Sequence, residues 1–285
     1  MRIFTDFEQT GNIPNAVVTT GSFDGVHIGH RMILERLKKL AFEIGGETVL
    51  ITFYPHPRQV LYPDTYGKEL LLISSLHEKT ELLRKAGLDN LIIIPFTKEF
   101  SRITSVNFVK NILVGKLHAK KIVIGHNHHF GYNREGDTEA LRSLGIEYEL
   151  AVEEIPEQEI KQESISSVKI RQALLEGDIE KANLYLGHEY LIAGKVSKRH
   201  AKQGSEVIQA FYLGIEESSK LLPQDGTYRV TGMDQDTTYP GSCIIQKKKG
   251  LLRKGTIFFR PDKPVFRFTG NLLTLLFHKK IDAEK

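Results

Sequence analysis

The sequence predicts an α/β protein in which a doubly wound parallel sheet is followed by a smaller all-β domain. Up to residue 187, short β-branched runs alternate with amphipathic segments, the order that gives a Rossmann-like sheet with helices on both faces. From residue 190, short runs of β-forming residues follow one another between turn signals, which is typical of a small antiparallel barrel or sandwich. We therefore divide the chain into domains 1–187 and 188–285.

The composition is that of a globular protein. Hydrophobic residues make up 40% and charged residues 26% of the chain. Apolar runs stay well short of the about 18 residues that a membrane-spanning helix needs. The N-terminus has acidic residues and no apolar signal core, and the one cysteine, Cys243, fits a reducing compartment. We expect a cytoplasmic protein.

The net charge of +4 is unevenly distributed along the chain. Residues 188–285 hold 17 Lys and Arg against 10 Asp and Glu, whereas residues 1–187 hold 22 against 25. A basic tail would suit nucleic acid or anionic lipid, or be the solvated face of a small β domain. We favour the solvated face, because the charge comes with neither an aromatic-interleaved RNA motif nor zinc-knuckle spacing. We expect no nucleic acid and no membrane as partner, and the sequence leaves the oligomeric state open.

The first signature spans residues 17–40, VVTTGSFDGVHIGHRMILERLKKL, which predict a strand, a glycine loop and a helix. Val17–Thr20 suits a buried strand, and apolar residues recur at helical spacing from Ile28. His27 and His30 lie at the start of this helix, where N–H groups and the helix dipole favour anions. A glycine-rich turn with two surface histidines is the plain alternative. The complete run G-x-F-D-G-x-H-x-G-H favours a polyphosphate site.

A second strand is predicted over Thr48–Phe53, and it ends in Pro55-His56-Pro57. Proline cannot continue the sheet, so the chain must turn there. A stiff wall of aromatic and proline residues at a strand end suits a flat ring system. The alternative is an ordinary strand stop.

The remaining elements continue the alternation of strands and helices. We expect strands over 91–94, 121–124 and 147–152, and helices over 74–87, 104–114 and 138–144. Caps are expected at Ser74 or Ser75 and at Asp137, with Gly87 as a stop. A further helical segment over 164–187 follows Ser166-Ser167. β runs are predicted over 190–196, 206–215, 226–232, 241–246, 256–260, 265–268 and 271–278.

The loop after the fourth predicted strand, GHNHHFGYNREGD, carries His126, His128 and His129. Three histidines invite a metal site, but their spacing is poor and carboxylate or cysteine partners are not close in sequence. We do not favour a metal site formed by these histidines. Asn127 in the same loop would, taken alone, be a turn residue that tolerates positive φ.

Together these runs resemble the FAD synthetase branch of the H-x-G-H nucleotidylyltransferases. The glycine loop carries Phe23-Asp24-Gly25 before its two histidines, residues 52–57 read T-F-x-P-H-P, and residues 165–171 read I-S-S-x-x-I-R. The fourth-strand loop matches the family at Asn127, at Phe130-Gly131 and at Gly136-Asp137, with His128 in place of a phenylalanine. The resemblance implies the nucleotidylyltransferase fold and FMN adenylyltransferase activity. In this reaction ATP and FMN give FAD and pyrophosphate, and Mg²⁺ is the cofactor.

The resemblance also implies which residues form the site. Those that would hold phosphates in the reaction are His27, His30, Asn127, Ser167 and Arg171, and Asn127 would also meet the metal. Those that would line the ATP and FMN sites are Gly21, Ser22, Phe23, Asp24, Gly25, Gly29, Phe53, Pro55, His56, Pro57, Phe130 and Ser166. Asp24 would shape the loop rather than act as a base, since a phosphate dianion is already nucleophilic.

Val168 departs from the family pattern, which has threonine at this position. One hydroxyl for ATP phosphate is therefore missing, and Lys169 would offset part of that loss as an added cation. Taken alone, Ser166-Ser167 would be a plain helix cap.

The C-terminal part resembles a degenerate riboflavin kinase barrel, the domain that follows in bifunctional FAD synthetases. The turn and strand features Tyr190-x-x-x-Gly194-x-Val196 and Leu222-to-Tyr228 match, whereas the G-F-P-T-A-N loop and the catalytic glutamate have no counterpart. We therefore expect no riboflavin kinase activity. Two alternatives stay open, another H-x-G-H nucleotidylyltransferase and a catalytically weak regulatory protein that binds flavin nucleotide.

Overall fold

A computed structural model describes residues 1–125, 129–155, 165–203, 206–235, 237–247, 255–263 and 271–281. The chain forms two compact units. The first contains residues 1–70 and 80–164, and the second contains residues 71–79 and 165–285. Residues 165–187 thus group by contact with the second unit, and the functional boundary at residue 187 stays a prediction.

The first unit contains a six-stranded sheet in which all neighbouring strands are parallel. Its strands in chain order are β1 (Arg2–Phe4), β2 (Val17–Thr20), β3 (Thr48–Tyr54), β4 (Asn90–Pro95), β5 (Lys121–Gly125) and β6 (Ala151–Ile155). Their spatial order is β1-β4-β3-β2-β5-β6, which confirms the predicted doubly wound sheet. β2 lies between β3 and β5, so the three signature loops of this unit follow neighbouring strands. The strand order reverses at β2, where such sheets bind ligands.

Helices cover both faces of this sheet, as expected for buried parallel strands. The helices up to residue 147 are α1 (Ile28–Glu43), α2 (Pro57–Leu61), α3 (Leu76–Lys85), α4 (Ser105–Asn107) and α5 (Thr138–Glu147), of which α2 has no buried residue. α3 begins in the second unit and ends in the first. Val17 packs in one core cluster with Leu34 and Leu37 of α1, while the next residue, Val18, packs in another cluster with Phe108. Adjacent strand residues therefore point to opposite, equally buried faces.

The structure corrects several element bounds. The predicted helix over 104–114 begins as α4 and continues as a π-helix over Phe108–Val114. α5 extends to Glu147, so β6 begins at Ala151 and not at residue 147. β1 and α2 were not predicted, because elements of three and five residues are too short to show a periodicity.

The segment 164–187 forms two helices, α6 (Ser167–Glu176) and α7 (Ile179–Leu186). Gly177 ends α6 with a left-handed φ of 79°, and the Asp178 carboxylate caps α7 by accepting from the Lys181 N–H at 3.0 Å. The predicted caps are confirmed at Asp137 and Ser166, which accept from N–H groups three residues ahead.

The second unit contains a closed antiparallel barrel. Of the two predicted alternatives, a barrel and a sandwich, the barrel is therefore correct. Its strands are β7 (Tyr190–Gln203), β8 (Glu206–Gly214), β9 (Gly226–Asp234), β10 (Thr237–Lys247), β11 (Gly255–Pro261) and β12 (Leu272–Ile281). They close in the order β10-β11-β8-β7-β12-β9. Aromatic residues that are almost wholly buried fill the core, among them Tyr190, Phe211, Tyr228, Phe259 and Phe277. The predicted strand over 265–268 lies outside the described residues.

A buried ion pair within the second unit joins the segment 71–79 to the barrel. The Lys220 ammonium lies 2.7 Å from the Glu78 carboxylate, and both side chains are 1% exposed. Lys220 also donates to the carbonyls of Ile73 and Leu191, and it lies 4.4 Å from the centre of the Tyr190 ring. The Glu78 carboxylate accepts from the N–H groups of Ser75 and Ala193, each at 2.7 Å. Each buried charge is therefore both paired and hydrogen-bonded.

Across the described residues, none of the helices is long and apolar enough to cross a membrane.

Candidate active site

The loop between β2 and α1 is held in an unusual backbone conformation. Phe23 and Val26 have φ values of 47° and 42°, and Gly25 has 80°. The left-handed region is costly for side chains such as these, on the order of 1–3 kcal/mol each. Phe23 and Val26 are both only 2% exposed, so core packing holds the strained turn in place. The Gly21 N–H also donates to the Ile51 carbonyl of β3 at 3.0 Å.

This turn brings three aromatic rings together at the start of α1. The His30 ring stacks on Phe23 at a centroid distance of 4.5 Å and on His27 at 3.7 Å, with interplanar angles of 21° and 18°. His27 is 8% exposed, and the Nδ1 atoms of both histidines are buried. The i, i+3 spacing predicted only that the two histidines share one side of the helix. The stack adds that their rings are held in a fixed orientation.

The arrangement at the start of α1 suits a polyanion. A helix N-terminus presents N–H groups and a partial positive charge. His27 is the N-cap residue of α1, and His30 lies in its first turn. Gly29 and Asp24 are buried beside them, which fits the predicted loop-shaping role of Asp24. The Thr52 hydroxyl contacts the Ser22 carbonyl at 3.4 Å, so the end of β3 adjoins this loop.

An aromatic group lies where β3 and β4 end. The Phe53 ring is 5.5 Å from Phe96 and 5.6 Å from Phe100, and Phe96 and Phe100 are 5.8 Å apart. Of these three residues, only Phe53 was predicted from the sequence. The run PFTKEF directly after a buried strand was the signal for the other two, because the carboxyl end of a parallel strand is where ligands gather.

His56, predicted for the flavin pocket, forms a capping box at the start of α2. Its Nδ1 accepts from the Arg58 N–H at 3.2 Å, and its own N–H donates to the Gln59 side chain at 3.3 Å. An accepting Nδ1 places the proton of the neutral ring on Nε2. His56 is therefore held in one orientation between Pro55 and Pro57, as the wall of a ring site requires.

Phe130 is placed by a tight loop that packs on Ser105. The backbones of Phe130 and Gly136 exchange two 3.0 Å hydrogen bonds, and the Glu135 carboxylate accepts from the Ser105 N–H at 2.8 Å. Gly131 has a φ of 77°, and a Cβ there would lie 2.6 Å from the Ser105 nitrogen, so only glycine fits. The Phe130 ring lies 6.1 Å from Phe108.

Asn127, His126 and His128 lie outside the described residues, so the predicted metal ligand is not placed. Among the residues that are described, no three His, Cys, Asp or Glu side chains cluster as a metal site would require.

The FAD synthetase family model matches residues 10–169, more than half of the chain. This chain belongs to the FAD synthetase family. It is 31% identical over 272 residues to the bifunctional riboflavin kinase/FMN adenylyltransferase of Listeria monocytogenes, covering 95% of this chain and 81% of that protein. It is 28% identical over 273 residues to the protein of the same description from Pseudomonas fluorescens, covering 94% and 85%.

The fold is also found in a solved structure. A crystal structure described as a macrolide-efflux protein from Streptococcus pneumoniae superposes with a TM-score of 0.84 over 100% of this chain and 92% of that one. Its sequence identity is 24%, so the likeness concerns the fold alone.

The Ser166-Ser167 signature at the start of α6 lies in the second unit. The Ser166 hydroxyl caps α6 by accepting from the Lys169 N–H at 3.4 Å, and Ser167 is the first helical residue. The Arg171 Nε donates to the Leu71 carbonyl at 2.7 Å, a contact that sequence reasoning missed. Arg171 therefore positions the segment that leads to Glu78. Its role toward phosphate, like that of the two serines, stays a prediction.

Proposed function

We propose that this chain is an FMN adenylyltransferase, which transfers the adenylyl group of ATP to FMN and releases pyrophosphate. The observation that carries the proposal is the ring stack at the start of α1, in a chain of the FAD synthetase family. The aromatic group at Phe53 and the held ring of His56 support a flat acceptor. The ring stack follows β2, and the aromatic group and His56 lie where β3 and β4 end, which are neighbouring strands of the same sheet.

The chemistry needs positioning and charge stabilisation rather than a covalent intermediate. An FMN phosphate oxygen attacks the α-phosphorus of ATP in line, and the bond from that phosphorus to the β-phosphate bridging oxygen breaks. Negative charge then builds up on the leaving pyrophosphate. His27, His30 and the N–H groups of the first turn of α1 would bind and stabilise that charge. A rigid stack suits this role, because preorganised groups need no rearrangement as the charge develops.

Mg²⁺ would be held mainly by the phosphates of ATP, as is usual for this ion, with Asn127 as the proposed protein ligand. When bound, the ion would supply positive charge that offsets the negative charge of the phosphates. Ser166, Ser167 and Arg171 are proposed to hold phosphate as well. The remaining proposed contacts, including Ser22, Pro55, Pro57 and Phe130, would line ATP or FMN. We place the reaction in the cytoplasm, with ATP and FMN as small-molecule partners and neither nucleic acid nor membrane.

Substrate choice tests the proposal against other nucleotidylyltransferases. Titration of the protein with FMN should quench flavin fluorescence at one equivalent. Ribose 5-phosphate and phosphopantetheine, which carry a phosphate but no flat ring, should not displace it. Displacement of FMN by either would favour another acceptor and oppose the assignment of Phe53 and His56.

We further predict that the protein does not phosphorylate riboflavin, although its relatives are described as bifunctional. A kinase needs a flexible loop that surrounds ATP phosphates. Here the corresponding stretch is largely taken up by regular strands, since β7 pairs with β8 in register from Lys195–Gly214 to Gln203–Glu206. A matched barrel fold does not by itself carry activity. This regular strand pairing supports the proposed loss of kinase activity.

The kinase prediction is tested by incubating the protein with riboflavin, ATP and Mg²⁺ and separating the flavins by chromatography. We expect no FMN or FAD, while a parallel incubation with FMN yields FAD. Flavin nucleotide formed from riboflavin at a rate near that of the FMN reaction would show that the barrel is an active kinase.

Val168→Thr should improve the use of ATP or leave it unchanged. Val168 is 65% exposed at the start of α6, so a threonine there loses no core packing. A hydroxyl at a helix start can donate to phosphate, and such a bond to a charged group contributes about 1.5–3 kcal/mol. The KM for ATP is the measurement, with Leu184→Thr, at a 70% exposed position of α7, as control. A raised KM in Val168→Thr alone would mean that this valine is needed at the nucleotide site.

A further inference from the structure

The first unit has a cavity of about 680 Å³ that the proposed reaction does not use. It lies beyond the carboxyl ends of β1 and β4, the edge at which parallel sheets bind ligands. Its volume is in the range of pockets for small molecules, about 300–1,000 Å³. Among the described residues, its lining includes none of the ATP and FMN contacts that were predicted from the sequence.

The floor of the cavity is apolar and partly aromatic. Phe7, Ile94 and Ile112 are buried there, and Phe100 and Ile103 are partly buried. Aromatic faces of this kind favour a flat ring over a chain of similar volume. Phe100 also contacts Phe53, so the cavity adjoins the proposed flavin wall and has Phe100 in common with the aromatic group at the ends of β3 and β4.

One wall of the cavity is formed by α4 and the π-helix. The Gly115 N–H donates to the Lys110 carbonyl at 2.9 Å and the Leu117 N–H to the Ile112 carbonyl at 3.0 Å, both five residues back. A π-turn takes more residues than an α-turn, so residues four or five apart lie on the same side. Asn107, Asn111, Ile112 and Lys116 all line the cavity for this reason. π-helical turns occur often at functional sites.

The polar rim selects against phosphate. Asp6 and Glu99 border the cavity, and Lys116, the one cation among its described lining residues, is paired with Glu8 at 2.6 Å. Hydrogen bonds from the backbone N–H of Glu99 itself and from the Thr97 hydroxyl hold the pKa of the Glu99 carboxyl below its ordinary value. Glu99 is therefore an anion at neutral pH. The carboxamides of Asn107 and Asn111, which lie 3.5 Å apart, supply both donors and acceptors for the edge of a ring.

We propose that this cavity is a second ligand site, which takes an uncharged, planar heteroaromatic ring of two or three fused rings without a phosphate. The ring would lie on Phe7 and Phe100 with its polar edge toward Asn107 and Asn111. The site is independent of the adenylyl-transfer site and excludes its phosphorylated substrates by charge.

The probe is lumichrome, an uncharged three-ring heterocycle, in equilibrium dialysis against the full chain with excess FMN present to occupy the substrate site. We expect wild type to bind one equivalent that FMN does not displace. Asn111→Trp, which fills the cavity from an exposed rim position, should weaken binding at least about tenfold, whereas Lys110→Trp on the same helix outside the cavity should stay within about twofold.

Turnover of FMN and circular dichroism establish that the Asn111→Trp protein is folded, and Asn107→Trp serves if it is not. Absence of lumichrome binding, competition by FMN, or equal binding in wild type and the cavity variant would each overturn the second site.

Discussion

His30→Ala is expected to lower the rate of FAD formation by about 10²–10³-fold while FMN binding persists, since removal of one preorganised charge-stabilising group typically has this effect. His30 stacks on both Phe23 and His27, so its ring is fixed before substrate arrives. Removal of the His30 ring also removes the stacking partner of His27. Because both rings are proposed to act on the phosphates, we expect kcat to fall more than the KM for FMN changes.

Two further variants separate chemistry from structure in this experiment. His30→Gln keeps a hydrogen-bond donor of similar reach and should recover part of the rate. His77→Ala removes an exposed histidine of α3 and should leave the rate unchanged. A His30→Ala enzyme that turns over like wild type would show that this histidine does not act on the phosphates.

Lys220→Met should destabilise the full chain by about 3–5 kcal/mol, the usual effect of removing one partner of a buried ion pair. The change leaves the Glu78 carboxylate buried without its cation, in a site where both side chains are 1% exposed. The free energy of unfolding in urea, followed by circular dichroism, is the measurement.

The control is Arg229→Met, which breaks the exposed pair with Asp262 in the same barrel and should cost about 0–1 kcal/mol. A Lys220→Met, Glu78→Gln double variant should be more stable than Lys220→Met alone, because the uncompensated charge is gone. Equal losses in the Lys220 and Arg229 variants would mean that the buried pair does not hold the segment 71–79 to the barrel.

Features set by neighbouring residues were predictable from the sequence. Asp137 and Ser166 cap their helices because a short side-chain acceptor precedes each helical run. The sheet could be predicted because its strands are β-branched runs separated by helical periodicity.

Features that depend on distant contacts were not predictable. The partner of Lys220 lies far back in the chain at Glu78, and nothing in either local sequence marks them as a pair. The π-helix has an ordinary helical composition, and its irregular hydrogen bonds appear only in the structure. The H-x-G-H spacing placed two histidines on one side of a helix, but the positive φ of Phe23 and Val26 and the resulting ring stack needed coordinates.

The most direct test of the proposed reaction is steady-state turnover of purified protein with FMN, ATP and Mg²⁺, with FAD and pyrophosphate measured in the same samples. We expect many turnovers per protein molecule and equal amounts of the two products, with riboflavin inactive as the acceptor. Binding of FMN and ATP without turnover would contradict it, and would leave a flavin-nucleotide-binding regulatory protein in place of an enzyme.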